Sequence, residues 1–185
     1  MAVFIFGLGD FARTLVILRA TQLLTPSSGP ARAAGVAMGL YALHNAVFAV
    51  VSYPIGLLAD RLRPQRLLLL GYALGTLTAV LAAVATPSLP LLAAVFLAGG
   101  LTLAFEDTLE GTIVGLETSK EIRGTGYGVL ATVNGVGDLF SSSAIGVAWS
   151  ALGAPAAFVI AAIFCLGGTL LLAFHNPWAQ NLEAV

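Results

Sequence analysis

The chain has little charge: only 9% of its 185 residues are Asp, Glu, Lys or Arg, and the formal net charge is -1. Soluble domains carry about 25% charged residues, so this surface is not built mainly for contact with water. Runs of basic residues interleaved with aromatics are absent, which excludes a typical nucleic-acid-binding surface. With 58% hydrophobic residues, the composition indicates a membrane protein.

Cysteine and histidine are also scarce. Cys165 is the only cysteine, so neither an intrachain disulfide nor a thiolate metal cluster can form, and its expected role is packing. The two histidines, His44 and His175, are too far apart in the sequence to suggest a zinc site. We therefore expect no metal and no cofactor.

Long uncharged runs dominate what is present. A helix needs about 20 apolar residues to cross the hydrocarbon core of a bilayer. The sequence predicts an all-α membrane protein, a single bundle over 1–185 with six spans and a short tail, 175–185. The predicted spans are residues 2–21, 33–59, 67–86, 88–116, 124–152 and 155–174.

The first predicted span contains two charges, Asp10 and Arg13. Each charge at a helix centre costs about 2.5 to 3.5 kcal/mol on insertion scales, so this helix alone inserts only marginally. Because the two residues are three positions apart, they share a helix face and can pair with each other or point into a bundle interior.

The connections predict the orientation. Residues 25–32 (TPSSGPAR) read as a polar loop, and charged connections lie after the second and fourth spans. Basic residues concentrate in those two charged connections, so the positive-inside rule places them, and with six spans both termini, in the cytoplasm. The basic residues on that side are Arg61, Arg63, Arg66, Lys120 and Arg123, against Arg19 and Arg32 on the other.

Polar side chains fall near the middle of the first, second, fourth and fifth spans, whereas the third and sixth have no ionisable group within them. Intramembrane charges usually face a bundle interior or a water-filled cavity, so we predict a polar cavity and a substrate or ion pathway there. The alternative is that they form structural pairs. Asp107 and Glu117 are expected at the cytoplasmic headgroups instead. The predicted pathway residues are Asp10, Arg13, His44, Asn45, Glu106, Glu110, Asn134 and Asp138.

The block GLLADRLRPQR, 56–66, resembles the loop motif between the second and third helices of each half of the major facilitator superfamily, Gly-x-x-x-Asp-Arg-x-Gly-Arg-Arg. Gly56, Asp60, Arg61 and Arg66 match the pattern, while Arg63 and Pro64 depart from it. Residues 6–20 and 123–158 are similar to the seventh helix and to the eleventh helix with its following turn. The resemblance covers essentially the whole chain as a carboxy-terminal six-helix half.

The resemblance implies a 3+3 inverted repeat and secondary active transport of a small solute, in which two halves rock about a midplane site. Such a chain is expected to be a split or truncated product or one protomer of an assembly, in a bacterial plasma membrane, and not to transport alone. Its partners would be the lipid bilayer, a small-molecule substrate and a second half or a second copy. A non-transporting membrane scaffold is the alternative.

Two mechanistic hypotheses stay open. Asp10, Glu106 and Asp138 can bind protons in a proton-coupled cycle, since loss of water disfavours a charged carboxylate. Arg13 can instead bind an anionic substrate.

A remote alternative is enzymatic, although the protein is expected not to be an enzyme. GLGD at 7–10 and GVGD at 135–138 match the Gly-x-Gly-Asp pattern of intramembrane aspartyl proteases, with Asp10 and Asp138 as the pair. Such short motifs are common in glycine-rich helices, and the other sequence elements expected of that family are absent.

Overall fold

The computed structural model describes residues 2–174, and the predicted tail, 175–185, lies outside them. Within the described residues the chain forms seven helices and no strand, as predicted for an all-α protein. The helices are α1 Ala2–Gly7, α2 Arg13–Ser28, α3 Pro30–Ala59, α4 Pro64–Ala83, α5 Leu89–Glu117, α6 Arg123–Leu152 and α7 Ala154–Phe174.

The first predicted span is interrupted. Its helix stops after Gly7 and resumes at Arg13 as α2, which runs on to Ser28 instead of ending near residue 21. At the break, Gly9 lies directly against α7, where a side-chain carbon would come within 2.6 Å of the Ala161 carbonyl oxygen. The Ala12 backbone N–H donates instead to Ser142 Oγ of α6, at 3.1 Å. Close contact with two later helices therefore accompanies the interruption.

The polar loop expected at 25–32 shrinks to Gly29, which has a φ of 76° and separates α2 from α3. The side chains of Thr25 and Ser28 donate to carbonyls one turn back in α2, at 2.7 and 2.8 Å. Pro30 then begins α3 at a position where its missing N–H leaves no helical hydrogen bond unmade. The polar residues of this segment predicted a loop, but most of it is helical because the hydroxyl groups form hydrogen bonds with carbonyls of their own helix.

Four of the described helices, α3, α4, α5 and α7, are long and apolar enough to cross a membrane. The other three fall short for different reasons. The helices α1 and α2 have only 6 and 16 residues, and the 30-residue α6 is interspersed with Gly, Ser, Thr and Asn. The all-helical structure with four candidate spans thus agrees with a membrane bundle, while the complete set of six spans remains a prediction.

The core forms where α4 packs against α5 and α7 and where α3 packs against α5. The ring of Phe6 in α1 stacks on Tyr72 of α4, with centroids 3.8 Å apart. Gly75 makes room for that ring and Gly168 for the backbone and Cβ of Phe6, because a side-chain carbon at either would come within 2.5 Å of Phe6. Small residues let helices approach closely in this way.

The helix α6 buries few of its side chains against the rest of the bundle. Of its 30 residues only Gly137, Ser141 and Ile145 are buried. These positions are four residues apart, so they form one narrow stripe along the helix.

Candidate functional site

A cavity of about 360 Å³ lies between α1, the break after it, the start of α2, and α3, α5 and α6. The helices α4 and α7 contribute no lining residue. The polar lining residues include the whole set singled out in the sequence: Asp10, Arg13, His44, Asn45, Glu106, Glu110, Asn134 and Asp138. The structure therefore brings together side chains that are up to 128 positions apart in the sequence, as Asp10 and Asp138 are.

Helical periodicity explains how α5 takes part. Its lining residues are Leu103, Glu106, Asp107 and Glu110, which follow the i, i+3, i+4, i+7 pattern of a single helix face. Asp107, which was expected at the cytoplasmic headgroups, therefore also lines the cavity. The spacing from Glu106 and Glu110 is the sequence feature that could have shown this.

Asp10 and Arg13 form an ion pair in the described structure, with Asp10 Oδ2 and an Arg13 guanidinium nitrogen 3.8 Å apart. The pairing agrees with their spacing, but the local structure differs from the expected single helix. Asp10 lies in the break and Arg13 begins α2. Both side chains also line the cavity, so the structural and the pathway interpretations apply to the same pair.

Glu110 links three helices. Its Oε1 accepts a hydrogen bond of 3.1 Å from the Tyr72 hydroxyl of α4. Its Oε2 accepts one of 2.8 Å from the Asn134 amide of α6. Both carboxylate oxygens thus have partners. Sequence reasoning missed Tyr72, because it searched the spans for charged and amide side chains and passed over the tyrosine hydroxyl.

The imidazole of His44 is held by a backbone carbonyl of α5. Its Nδ1 lies 3.3 Å from the Phe96 carbonyl oxygen, which can only accept, so Nδ1 carries the hydrogen. The close approach of α3 and α5 here depends on Gly100, where a side-chain carbon would be 2.5 Å from the His44 carbonyl oxygen. The Nε2 atom is buried and has no hydrogen-bond partner among the described residues.

The remaining predicted pathway residues have simpler surroundings. Asn45 donates to the carbonyl of Tyr41 one turn earlier in its own helix, at 2.8 Å. Glu106 is buried, and its Oε1 has no partner in the described part of the chain. Asp138 lines the cavity from α6 beside Asn134.

The block that resembles the family loop motif lies away from the cavity. Gly56 is in the last turn of α3, and the Asp60 backbone N–H donates to its carbonyl at 3.2 Å. Asp60 and Arg61 occupy the exposed turn between α3 and α4, and Arg66 is exposed in the first turn of α4. The motif thus covers one end of this helix pair.

Comparison with known proteins places the chain. The family model of the Major Facilitator Superfamily matches residues 1–181. An uncharacterized MFS-type transporter of Methanocaldococcus jannaschii is 28% identical over 172 residues, which cover 92% of this chain and 42% of that relative. The chain therefore spans less than half the length of this relative. With nearly all its residues matched by the family model, the chain belongs to the major facilitator superfamily of integral membrane transporters.

Proposed function

We propose that this chain is one six-helix half of a secondary active transporter that moves a small solute through the described cavity by alternating access. The observation that carries the proposal is the convergence of the polar side chains. All those predicted for a pathway line one cavity between α1, α3, α5 and α6, while α4 and α7 pack outside it. Groups that are costly in a membrane are expected to line a pathway.

Length supports the half-transporter interpretation, since the matched relative is more than twice as long as the segment it shares with this chain. The missing wall of the cavity would come from a second six-helix half or from a second copy of this chain. Within the half, the helices would form a 3+3 inverted repeat.

Charge distribution supports an orientation. Asp60, Arg61 and Arg66 are exposed at the turn between α3 and α4, and the other basic connection, between α5 and α6, carries Lys120 and Arg123. By the positive-inside rule both connections face the cytoplasm, which puts both termini there too. The membrane would be the plasma membrane of a bacterium.

The test is purification of the tagged chain from native membranes in mild detergent, followed by reconstitution of whatever assembly it forms. The expected result is an assembly with a second six-helix unit that takes up or exports a solute from a screened panel, whereas the isolated chain does not. The variant Asp138→Leu should abolish that flux, and Glu117→Gln should leave it intact.

Two outcomes would contradict the proposal. Flux through the purified monomer would show that no second half is needed. An assembly that binds other membrane proteins but moves no solute would favour the scaffold alternative.

The aspartyl protease interpretation loses support because Asp10 is paired with the Arg13 guanidinium at 3.8 Å, whereas an aspartyl dyad requires two carboxyl groups that share a proton.

A further inference from the structure

Two buried polar atoms of the cavity lack a hydrogen-bond partner among the described residues: His44 Nε2 and Glu106 Oε1. Both side chains line the cavity and are well over nine-tenths buried, with 4% and 7% of their surface exposed. Leaving such a buried group unpaired is unfavourable, because it has lost its hydrogen bonds to water and gained none in the protein. A ligand that supplied the missing partners would remove this cost.

Both atoms are hydrogen-bond acceptors. Because the Nδ1 hydrogen of His44 faces the Phe96 carbonyl, a neutral imidazole presents only a lone pair at Nε2. Glu106 likewise only accepts when it is ionised. A ligand that pairs with both atoms in these states brings N–H or O–H donors.

The charge of the lining favours a cation. Five carboxyl groups line the cavity with a single guanidinium, that of Arg13, which is already paired with Asp10. Each of these carboxyl groups that is ionised would repel an anion at Arg13, and Coulomb interactions are stronger in such a site than in bulk water. The carboxyl groups are those of Asp10, Glu106, Asp107, Glu110 and Asp138.

The walls favour an organic cation. Phe4, Phe6 and Tyr41 line the same cavity, and aromatic faces attract ammonium groups. The volume of about 360 Å³ fits a small organic molecule. In the described part of the chain, no three His, Cys, Asp or Glu side chains converge in a way that could hold a metal ion.

We propose that the cavity binds a small protonated amine, whose N–H groups supply the donors that Glu106 Oε1 and His44 Nε2 lack and whose apolar body lies against Phe4 and Tyr41. The inference rests on the proposed function, since it names the substrate class of the same cavity. It favours a cationic substrate over the alternative of an anionic substrate at Arg13.

The test is calorimetric titration of the chain, as it purifies from membranes with any partner, in lipid nanodiscs. Three probes of similar size separate the contributions: 2-phenylethylammonium, its N-trimethylated form, which keeps the charge without N–H donors, and the anion 3-phenylpropionate. We expect the first to bind, the second to bind about tenfold or more weakly, and the third not to bind.

The matched variants are Glu106→Gln and Glu117→Gln. Both make the same change in α5, but Glu117 is exposed at its carboxy-terminal end and does not line the cavity. Glu106→Gln should weaken 2-phenylethylammonium binding about tenfold or more, and Glu117→Gln should leave it unchanged. If Glu106→Gln fails to fold, the order of the three probes on the unmodified protein still decides the matter.

Preference for 3-phenylpropionate, no binding of 2-phenylethylammonium by the folded protein, or undiminished binding by folded Glu106→Gln would overturn the inference. Its failure is distinct from failure of the proposed function. If the assembly transports an anion, the proposed transport function stands and the inference of an amine substrate fails. If the assembly binds the amine but moves no solute, the amine site stands and the proposed transport function fails.

Discussion

The Asn134 side-chain amide donates a 2.8 Å hydrogen bond to Glu110 Oε2, which joins α6 to α5. The other oxygen of Glu110 accepts from Tyr72 of α4, so the carboxylate connects a cavity-lining pair of helices to a supporting one. Since only a narrow stripe of α6 is buried, this bond is a substantial part of what fixes that helix.

Replacing Asn134 with alanine should therefore loosen α6. We expect a loss of about 0.5 to 2 kcal/mol in the free energy of unfolding, the range found for hydrogen bonds between membrane helices. Denaturant titration in mixed micelles measures it. Asn45→Ala is the control, because Asn45 bonds only to a carbonyl of its own helix. Equal losses in both variants would contradict the interhelical role.

Ser142→Ala should increase opening at the break that follows α1. The variant removes the hydroxyl that accepts the Ala12 N–H at 3.1 Å, so the backbone there loses its link to α6. Hydrogen exchange followed by mass spectrometry should show faster exchange in a peptide covering residues 8–14. The adjacent Ser143→Ala should not, since Ser143 donates to Leu139 within α6. Unchanged exchange in Ser142→Ala would refute this role.

Gly100→Ala should destabilise the contact of α3 with α5. The added carbon would be 2.5 Å from the His44 carbonyl oxygen, which forces the helices apart at an expected cost of about 1 to 3 kcal/mol. Gly111→Ala, in the same helix but with nothing within 4 Å, should be neutral or stabilising by about 0.5 to 1 kcal/mol. Thermal unfolding compares the two, and a stable Gly100→Ala protein would argue against close helix contact there.

Proton coupling can be tested in the assembled transporter with its solute identified. If Asp10, Glu106 and Asp138 exchange protons during the cycle, an imposed pH gradient should drive solute accumulation. Combined Asp10→Asn, Glu106→Gln and Asp138→Asn substitution should abolish that response, because neutral amides take up no proton. Flux measured in proteoliposomes that ignores the gradient, or that survives the triple substitution, would exclude coupling through these groups.

Cys165 should resist modification in the folded chain. It is 2% exposed and packed beside Gly9, so a maleimide reagent can reach it only when α7 opens. We expect labelling to rise together with loss of helical circular dichroism during unfolding. A Cys165→Ala, Ser119→Cys variant, whose thiol lies in the exposed connection before α6, should react at once. Rapid labelling of native Cys165 would show that α7 is not packed as described.

The lining of the cavity could be predicted from the sequence because charges in a membrane segment have few permitted places. Asp10, His44, Glu106 and Asp138 are costly anywhere but in a shared interior, so their positions along the chain suffice to predict that they converge. The hydrogen-bond partners of these residues were harder to predict from the sequence. Tyr72 reaches Glu110 from α4, whose membrane-spanning part carries no charged side chain, and only the packing of α4 on α5 brings the two together.

The break at Asp10 could not be predicted for a related reason. Gly7 and Gly9 permit it, but glycine is frequent throughout these helices and rarely interrupts them. The interruption coincides with tertiary contacts: Gly9 lies against Ala161 of α7, and the Ala12 N–H finds Ser142 of α6. These contacts join residues that are far apart in the sequence, so the local sequence does not predict them.

The narrow buried stripe of α6 also has an evolutionary consequence. Gly137, Ser141 and Ile145 tie its conformation to the core, while the faces around them contribute little to internal packing. Apart from Asn134, Asp138 and Ser142, substitutions on those faces should therefore cost the bundle little folding stability. We expect sequence differences between related chains that meet different neighbours to accumulate at these positions.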